Sequence, residues 1–305
     1  MNRASPRLSV VIATRNRPDF LREAVAAVDA QQGVEGIEII VVHDQSAVDT
    51  TIGEVVVNSA LRIVTNQFEQ GLAGARNTGI GLAHGEFVAF CDDDDVWLPG
   101  KAAAQIAALD ASPAAALVTT GIIVEYDGDH HERSLDADTL GLADLIRDRH
   151  TELHPSTFLF RAQLLRSIGM VSTEVPGGFG EDYELLLRTA RTGDIVNLRA
   201  PLVRVRWHGS SYFFERWATM SAGLQFLLAR YPEFEADRRG FARIRGQIAF
   251  AHAAQGRRRE ALVGAARVMR SYPLEARAPL AALVAVRLLS PEWVMARLHR
   301  IGRGI

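Results

Sequence analysis

Short apolar runs alternate with amphipathic stretches through the first two-thirds of the chain. Leu8-Ser9-Val10-Val11-Ile12-Ala13 is short, β-branched and apolar, the pattern of a strand buried on both faces, and Pro18 then opens a helix running to about Gln31. Ile37 to Val42 reads as a second buried strand and Arg62 to Val64 as a weaker third. Gly71 to Ala83 is a Gly-rich loop entering a helix, and Phe87 to Cys91 is a further strand. This alternation predicts an α/β fold, a mostly parallel sheet with helices on both faces, in which ligands collect at the carboxyl ends of the strands.

Beyond that point the pattern is less regular. Lys101 to Asp110 is helical and Ala116 to Val124 a strand, while the polar Tyr126 to Asp138, with Gly128 and the solvated pair His130-His131, reads as a mobile loop. A helix near Leu140 to Arg149 precedes His154-Pro155-Ser156-Thr157, a short strand Phe158 to Phe160 and a helix from Ala162 to Ile168. Pro176-Gly177-Gly178-Phe179-Gly180 is a flexible approach to a helix that Glu181 and Asp182 begin, where negative charge suits the helix dipole. Pro201 to Trp207 has strand character. Everything after His208-Gly209-Ser210-Ser211 is helical, so a boundary falls near Ser210, separating an α/β domain at 1–210 from a helical region at 211–305. His252 to Tyr272 resembles one helix-turn-helix of the tetratricopeptide kind, but a single unit cannot bury its own face.

Composition narrows the options only a little: 48% hydrophobic, 23% charged and a net charge of −2 give no general pull toward nucleic acid. The charge is unevenly spread. From Arg239 onward there are 13 Arg and no Lys against Glu260, Glu275 and Glu292, so this tail carries +10 and the rest −12. Such basic helices either lie on an anionic membrane surface or are solvated faces packed on the rest of the protein. Cys91 is the only cysteine, which excludes an intramolecular disulfide and a cysteine-based zinc site and makes it a small buried hydrophobe. The apolar stretch Leu8 to Ala13 is too short for a signal-peptide core, and Ala278 to Val286 falls short of the ~20 residues of a spanning helix. A cytosolic location is the default expectation, with membrane association at the cytoplasmic face if the basic tail binds lipid.

The densest chemistry is Asp92-Asp93-Asp94-Asp95 at the end of the Phe87 to Cys91 run. Two carboxylates ~4 Å apart repel by roughly 4 kcal/mol at an effective dielectric near 20, so a cluster at a strand tip asks for a positive partner. An EF-hand loop counted from Asp92 fails, with Trp97 at its sixth position and Ala103 at its twelfth. Mg²⁺ or Mn²⁺ held by one or two carboxylates together with a ligand diphosphate fits better, a solvated acidic turn being the plain alternative. A dinucleotide-binding dehydrogenase is disfavoured because Ala13-Thr14-Arg15-Asn16 carries no Gly-x-Gly-x-x-Gly.

Val10 to Pro18, Val41-Val42-His43-Asp44, Gly71-Leu72-Ala73-Gly74-Ala75-Arg76-Asn77 and Phe90 to Pro99 together, in this order and spacing, resemble family 2 glycosyltransferases. The resemblance covers roughly 8–212. It implies a GT-A fold, with a nucleotide-sugar half at about 1–115 and an acceptor half at about 116–210, and inverting transfer from a nucleotide-diphosphate sugar, UDP or dTDP favoured. Under it Asp92-x-Asp94 is the DxD motif: Asp94 is the direct metal ligand and Asp92 lies nearer the ribose or donor sugar, with Asp93 beside them. Ala13, Thr14 and Arg15 line the base and ribose, although Arg15 stands where the family often has an aromatic residue. Asp44 accepts an N–H of the base, or simply caps the segment that follows. Arg76 and Asn77 contact nucleotide and donor, or belong to a surface helix whose Gly71 and Gly74 serve a turn.

Glu181-Asp182 resembles the ED motif, with Asp182 the catalytic base and Glu181 orienting the acceptor or a basic partner; in isolation the pair is only a favourable dipole contact. His208 matches the histidine that reaches metal or diphosphate, with polar packing as the bland alternative. His154 faces the acceptor, and Trp97 and Phe179 lie near donor and acceptor respectively, though buried aromatics usually belong to a core. The implied acceptor is a hydroxyl-bearing glycan, lipid-linked or small molecule. The rivals are a sugar-1-phosphate nucleotidyltransferase, for which Glu181-Asp182 has no purpose, and a non-catalytic nucleotide-sugar-binding scaffold, for which a base is surplus.

Overall fold

The computed structural model describes residues 5–126, 128–207 and 217–300, with 299 and 300 described by their backbone alone. It divides into two units. The first comprises 1–145, 149–173 and 181–209, and the second comprises 146–148, 174–180 and 210–305.

The first unit is built on one ten-stranded sheet. Its opening half is wholly parallel: β1 (Leu8–Thr14), α1 (Pro18–Asp29), β2 (Ile37–His43), β3 (Ala60–Thr65), α2 (Leu72–Leu82) and β4 (Phe87–Phe90) give the strand order β3-β2-β1-β4. Val10 lies opposite Ile39 on one side and Ala89 on the other, all three buried, which is why these strands read as unbroken apolar runs. The helix α1 sets Leu21, Ala24, Val25 and Val28 against this sheet at helical spacing. On α2 the close approach is made at Gly79, where an added Cβ would stand 2.2 Å from a Val11 methyl.

The second half of the sheet mixes directions. After β5 (Val96–Trp97), α3 (Lys101–Ala111), β6 (Leu117–Tyr126), β7 (Asp129–Arg133), β8 (Thr139–Leu140), α4 (Leu142–Arg147), β9 (Leu159–Arg161), α5 (Ala162–Ser167), α6 (Glu181–Ala190) and β10 (Ile195–Arg206), the order continues from β4 as β9-β6-β10-β5. Only β6 and β10 are parallel here; β9 runs antiparallel to both of its neighbours. The mostly parallel sheet expected from the alternation therefore holds for the first half.

The segment expected as a mobile loop contains a strand. Asp129–Arg133 pairs antiparallel with Ile122–Tyr126, His130 opposite Glu125 and His131 opposite Val124. Its residues are mostly exposed, so no apolar alternation marked it in the sequence.

The second unit is helical, with α7 (Trp217–Arg230), α8 (Arg238–Ala254), α9 (Arg258–Ser271), α10 (Arg277–Ala285) and α11 (Pro291–Arg300). The expected helix-turn-helix is α8 and α9, turned at Gly256 with φ 74°, although α8 begins well before His252. Small side chains, Ala242, Ala249, Ala253, Ala261, Ala265 and Ala281, fill its core around Phe250. Among the described residues no helix is long and apolar enough to cross a membrane.

Beneath the acidic loop lies a buried cation. Lys101 opens α3 fully enclosed, its Nζ 3.6 Å from the centre of the Trp97 ring and donating to Gln105 Oε1 at 2.7 Å. Burial lowers its pKa from 10.5 to about 7. Between those values the unfolded chain binds a proton that the fold rejects, so stability falls as pH drops from 10.5 to about 7 and levels off below. Lys101→Met is expected to gain about 3 kcal/mol relative to the parent on going from pH 10 to pH 7. Urea unfolding at both pH values measures this, and a pH-independent difference would contradict it.

Candidate functional site

The four carboxylates of the loop after β4 are held by a small set of shared partners. Asp92 Oδ1 accepts from Arg76 Nη2 at 2.6 Å, and the Asp92 N–H donates to Ser156 Oγ at 2.9 Å. Asp93 accepts from Thr14 Oγ1 at 2.7 Å and from Arg17 Nη1 at 3.3 Å. Asp94 takes the same Arg17 nitrogen at 2.6 Å. Asp95 is buried; its Oδ2 accepts from Ser156 Oγ at 2.5 Å and faces His154 Nδ1 at 3.2 Å, while its Oδ1 has no hydrogen-bond partner among the described residues.

Among the described residues the arginines seen to meet these four carboxylates are Arg17 and Arg76, and the crowding of like charge shows in the proton affinities. Burial, against the Thr14 bond, lifts Asp93 to about 6, and burial with the Asp92 and Asp94 charges lifts Asp95 well above the usual range. The loop can thus accept further positive charge.

Arg76 ties this loop to the start of α6. The guanidinium is 2% exposed, lies 5.4 Å from the Phe90 ring centre, and donates from Nη1 to Glu181 Oε1 at 3.0 Å while Nη2 holds Asp92. It reaches there because α2 enters the fold tightly: at Gly74 an added Cβ would stand 1.8 Å from the Glu69 carbonyl oxygen. Burial and then the adjacent Asp182 raise Glu181, outweighing Arg76. Asp182 moves the other way. Against burial, Arg149 holds its carboxyl below the ordinary range, with Nη2 reaching Oδ1 at 3.1 Å and Oδ2 at 2.8 Å.

His154 completes the cluster. It precedes the 3₁₀ turn Pro155–Thr157, and its Nε2 lies 4.0 Å from Asp92 Oδ2. Burial lowers its pKa, so a neutral, ligating ring is favoured at neutral pH. Asp92, Asp95 and His154 each offer a ligand atom, all within 4.8 Å of one another. Two carboxylate oxygens and an imidazole nitrogen, with Asp95 Oδ1 unpartnered beside them, form a donor set that fits a divalent cation such as Mn²⁺.

The other sequence candidates divide. Asp44, at the end of β2, accepts from Asn66 Nδ2 at 2.9 Å, Gln45 Nε2 at 3.0 Å and the Gly71 N–H at 3.1 Å, and it lines a cleft of about 240 Å³ with Thr65, Asn66 and Phe68. Ala13 is partly buried; Thr14 is committed to Asp93; Arg15 is exposed and makes no hydrogen bond or ion pair among the described residues. Asn77 exchanges two hydrogen bonds with the Val171 backbone, both at 2.9 Å, so its amide braces the chain rather than presenting itself to a nucleotide.

One aromatic expectation needs correction. Trp97 is 2% exposed, donates Nε1–H to the Ser156 carbonyl at 3.0 Å and carries Lys101 on its ring, which leaves no face for a sugar. Phe179 is partly buried, and its carbonyl crowds Gly223. His154 belongs to the acidic cluster, and His208 lies outside the described residues. Sequence reasoning passed over Arg17, Ser156 and Arg149. The first two stand inside motifs already singled out, whereas nothing in the sequence links Arg149 to Asp182.

A family model described as Glycosyl transferase family 2 matches residues 9–169, more than half of the chain. Succinoglycan biosynthesis protein ExoO of Rhizobium meliloti (strain 1021) is 31% identical over 159 residues, 52% of this chain and 44% of that protein. The UDP-Glc:alpha-D-GlcNAc-diphosphoundecaprenol beta-1,3-glucosyltransferase WfgD of Escherichia coli is 33% identical over 101 residues, 32% of this chain and 39% of that protein. The chain thus spans less than half the length of these two curated relatives. Among solved structures, the mannosyltransferase PcManGT from Pyrobaculum calidifontis, in complex with GDP-Man and Mn²⁺, aligns with a TM-score of 0.61 at 20% identity over 96% of this chain and 83% of that one. That likeness shows the fold, a GT-A arrangement with added C-terminal helices.

Removing one partner from a buried ionic cluster strands the others. Arg76→Met is expected to cost about 3–5 kcal/mol in urea unfolding, and adding Glu181→Gln should recover part of the loss. An unchanged midpoint for Arg76→Met would show that the bridge contributes nothing.

Proposed function

The chain belongs to glycosyl transferase family 2, and on that premise we propose that it moves a sugar from a nucleotide-diphosphate donor, UDP or dTDP favoured, to a hydroxyl acceptor by single displacement with inversion. The observation that carries this reading is the Asp92–Arg76–Glu181 bridge, which joins the acidic loop to the helix start bearing Asp182 within one buried cluster. Donor chemistry and base chemistry then act on one saccharide.

Asp182 takes the proton of the attacking hydroxyl, for which its ionised state is the right one. Glu181 keeps Arg76 in place, and Arg76 with Arg17 supplies fixed positive charge near the departing diphosphate. Asp44 and its cleft suit a pyrimidine N–H. Asp92, Asp95 and His154, with Asp94 beside them on Arg17, would hold Mg²⁺ or Mn²⁺, which when bound acts as a Lewis acid on the diphosphate. His208 joins this role in our reading. The UDP-glucose and diphosphoundecaprenol in the name of the E. coli relative, and the Mn²⁺ with the Pyrobaculum enzyme, support this donor, a lipid-linked acceptor and a metal.

Peripheral contact with a membrane is part of the same proposal. Leu274, Leu288 and Trp293 are 82%, 72% and 58% exposed, and Arg270, Arg287 and Arg297 of the same helical unit are exposed too. Exposed apolar and cationic side chains on these helices suit an anionic bilayer surface.

Asp182→Asn is expected to lower transfer roughly 10³-fold while sparing donor binding, and Asp94→Asn to weaken metal-dependent donor binding, both read by calorimetry and turnover with Mn²⁺. Full activity in Asp182→Asn would falsify the base assignment. A thermal-shift screen of UDP-, dTDP- and GDP-sugars with and without Mn²⁺ should show the largest stabilisation for a uracil or thymine donor with metal. Anionic vesicles should pellet the protein at low salt and release it in Trp293→Ser; absence of lipid-dependent pelleting removes the membrane contact.

A further inference from the structure

Asp182 is an awkward base as it stands. Both of its oxygens face one nitrogen of Arg149, and a carboxylate paired with a guanidinium gives up basicity. Arg149 comes from a separate element, the turn after α4, and the next residue, His150, holds a left-handed φ of 51° without being glycine, which sets where the arginine stands. The side chain of Arg149 is 36% exposed and that of Asp182 14%, so solvent, and any ligand, meets the pair over the arginine.

Guanidinium groups recognise carboxylate and phosphate oxygens with the same fork, and a phosphate carries more charge. We infer that Arg149 reads a phosphate borne by the acceptor next to its reacting sugar, and that this phosphate competes with Asp182 for the arginine. The inference rests on Asp182 being the base. Its consequence is a base held back until the acceptor arrives: the anion draws the guanidinium away, and the freed carboxylate regains affinity for the hydroxyl proton. An acceptor sugar without the anion would leave the pair closed and react slowly. The shared chemistry is a sugar carrying a phosphate, whether lipid-linked or soluble.

A merely structural ion pair and a competed one differ in sign when Asp182 is neutralised. The test saturates the full chain with UDP and Mn²⁺ to fill the donor side, then titrates methyl phosphate and undecyl phosphate by calorimetry. The parent should bind both, Arg149→Gln about tenfold or more weakly, as expected for losing a charge-assisted bond, and Asp182→Asn more tightly than the parent because the competing carboxylate is gone. Circular dichroism melts check that both variants fold, and Arg149→Lys should retain part of the affinity. Tighter binding of undecyl phosphate identifies a lipid-linked acceptor, and equal binding a soluble sugar phosphate. Phosphate binding that is absent, unaltered in Arg149→Gln, or no tighter in Asp182→Asn overturns the inference while leaving the donor reading intact. Failure of UDP and Mn²⁺ to bind would overturn both.

Discussion

A single buried guanidinium holds the first unit's chemistry together. Arg76 has almost no contact with water, so its charge is tolerated only because Asp92 and Glu181 meet it from two segments far apart in the chain. The dependence is mutual. Without the arginine, Asp92 adds to a run of four carboxylates and Glu181 sits buried beside Asp182. With it, the strand tip and the helix start are fixed relative to each other, as the proposed displacement requires.

The rest of the site is a set of braces around that contact. Thr14 crosses from β1 to Asp93, and Ser156 receives the Asp92 N–H while donating to Asp95, with its carbonyl taken by Trp97. These bonds fix the conformation of the acidic loop and the orientation of its carboxylates. Asn77 does the equivalent for α2 by clasping Val171. Residues that look like ligand contacts in the sequence serve here as supports.

The first half of the fold was legible because parallel strands buried on both faces leave continuous apolar runs, and Leu8–Thr14 and Ile37–His43 extend only one residue past their expected ends. The second half was harder. β7 is exposed and polar, and β5 is two residues long between the acidic run and Pro99, so neither imprints a period on the sequence. At the site, motif spacing pointed to Asp92, Arg76, Glu181 and Asp182, but it could not tell which carboxylate meets which cation. Asp95, which the motif leaves without a role, is the most buried of the four, joined to His154 and Ser156 some sixty positions away. Trp97, which the resemblance sets near the donor, is a core aromatic with a lysine on its ring and a carbonyl on its nitrogen.

The most direct measurement is an experimental structure of the chain with UDP and Mn²⁺, using the anomalous signal of manganese to mark the metal. The expected result is a metal peak in ligating distance of Asp92 and its neighbours, the diphosphate beside Arg76, and the Asp182 carboxylate opening onto the same cleft. A metal elsewhere, or a nucleotide whose cleft does not contain Asp182, would contradict the single shared site.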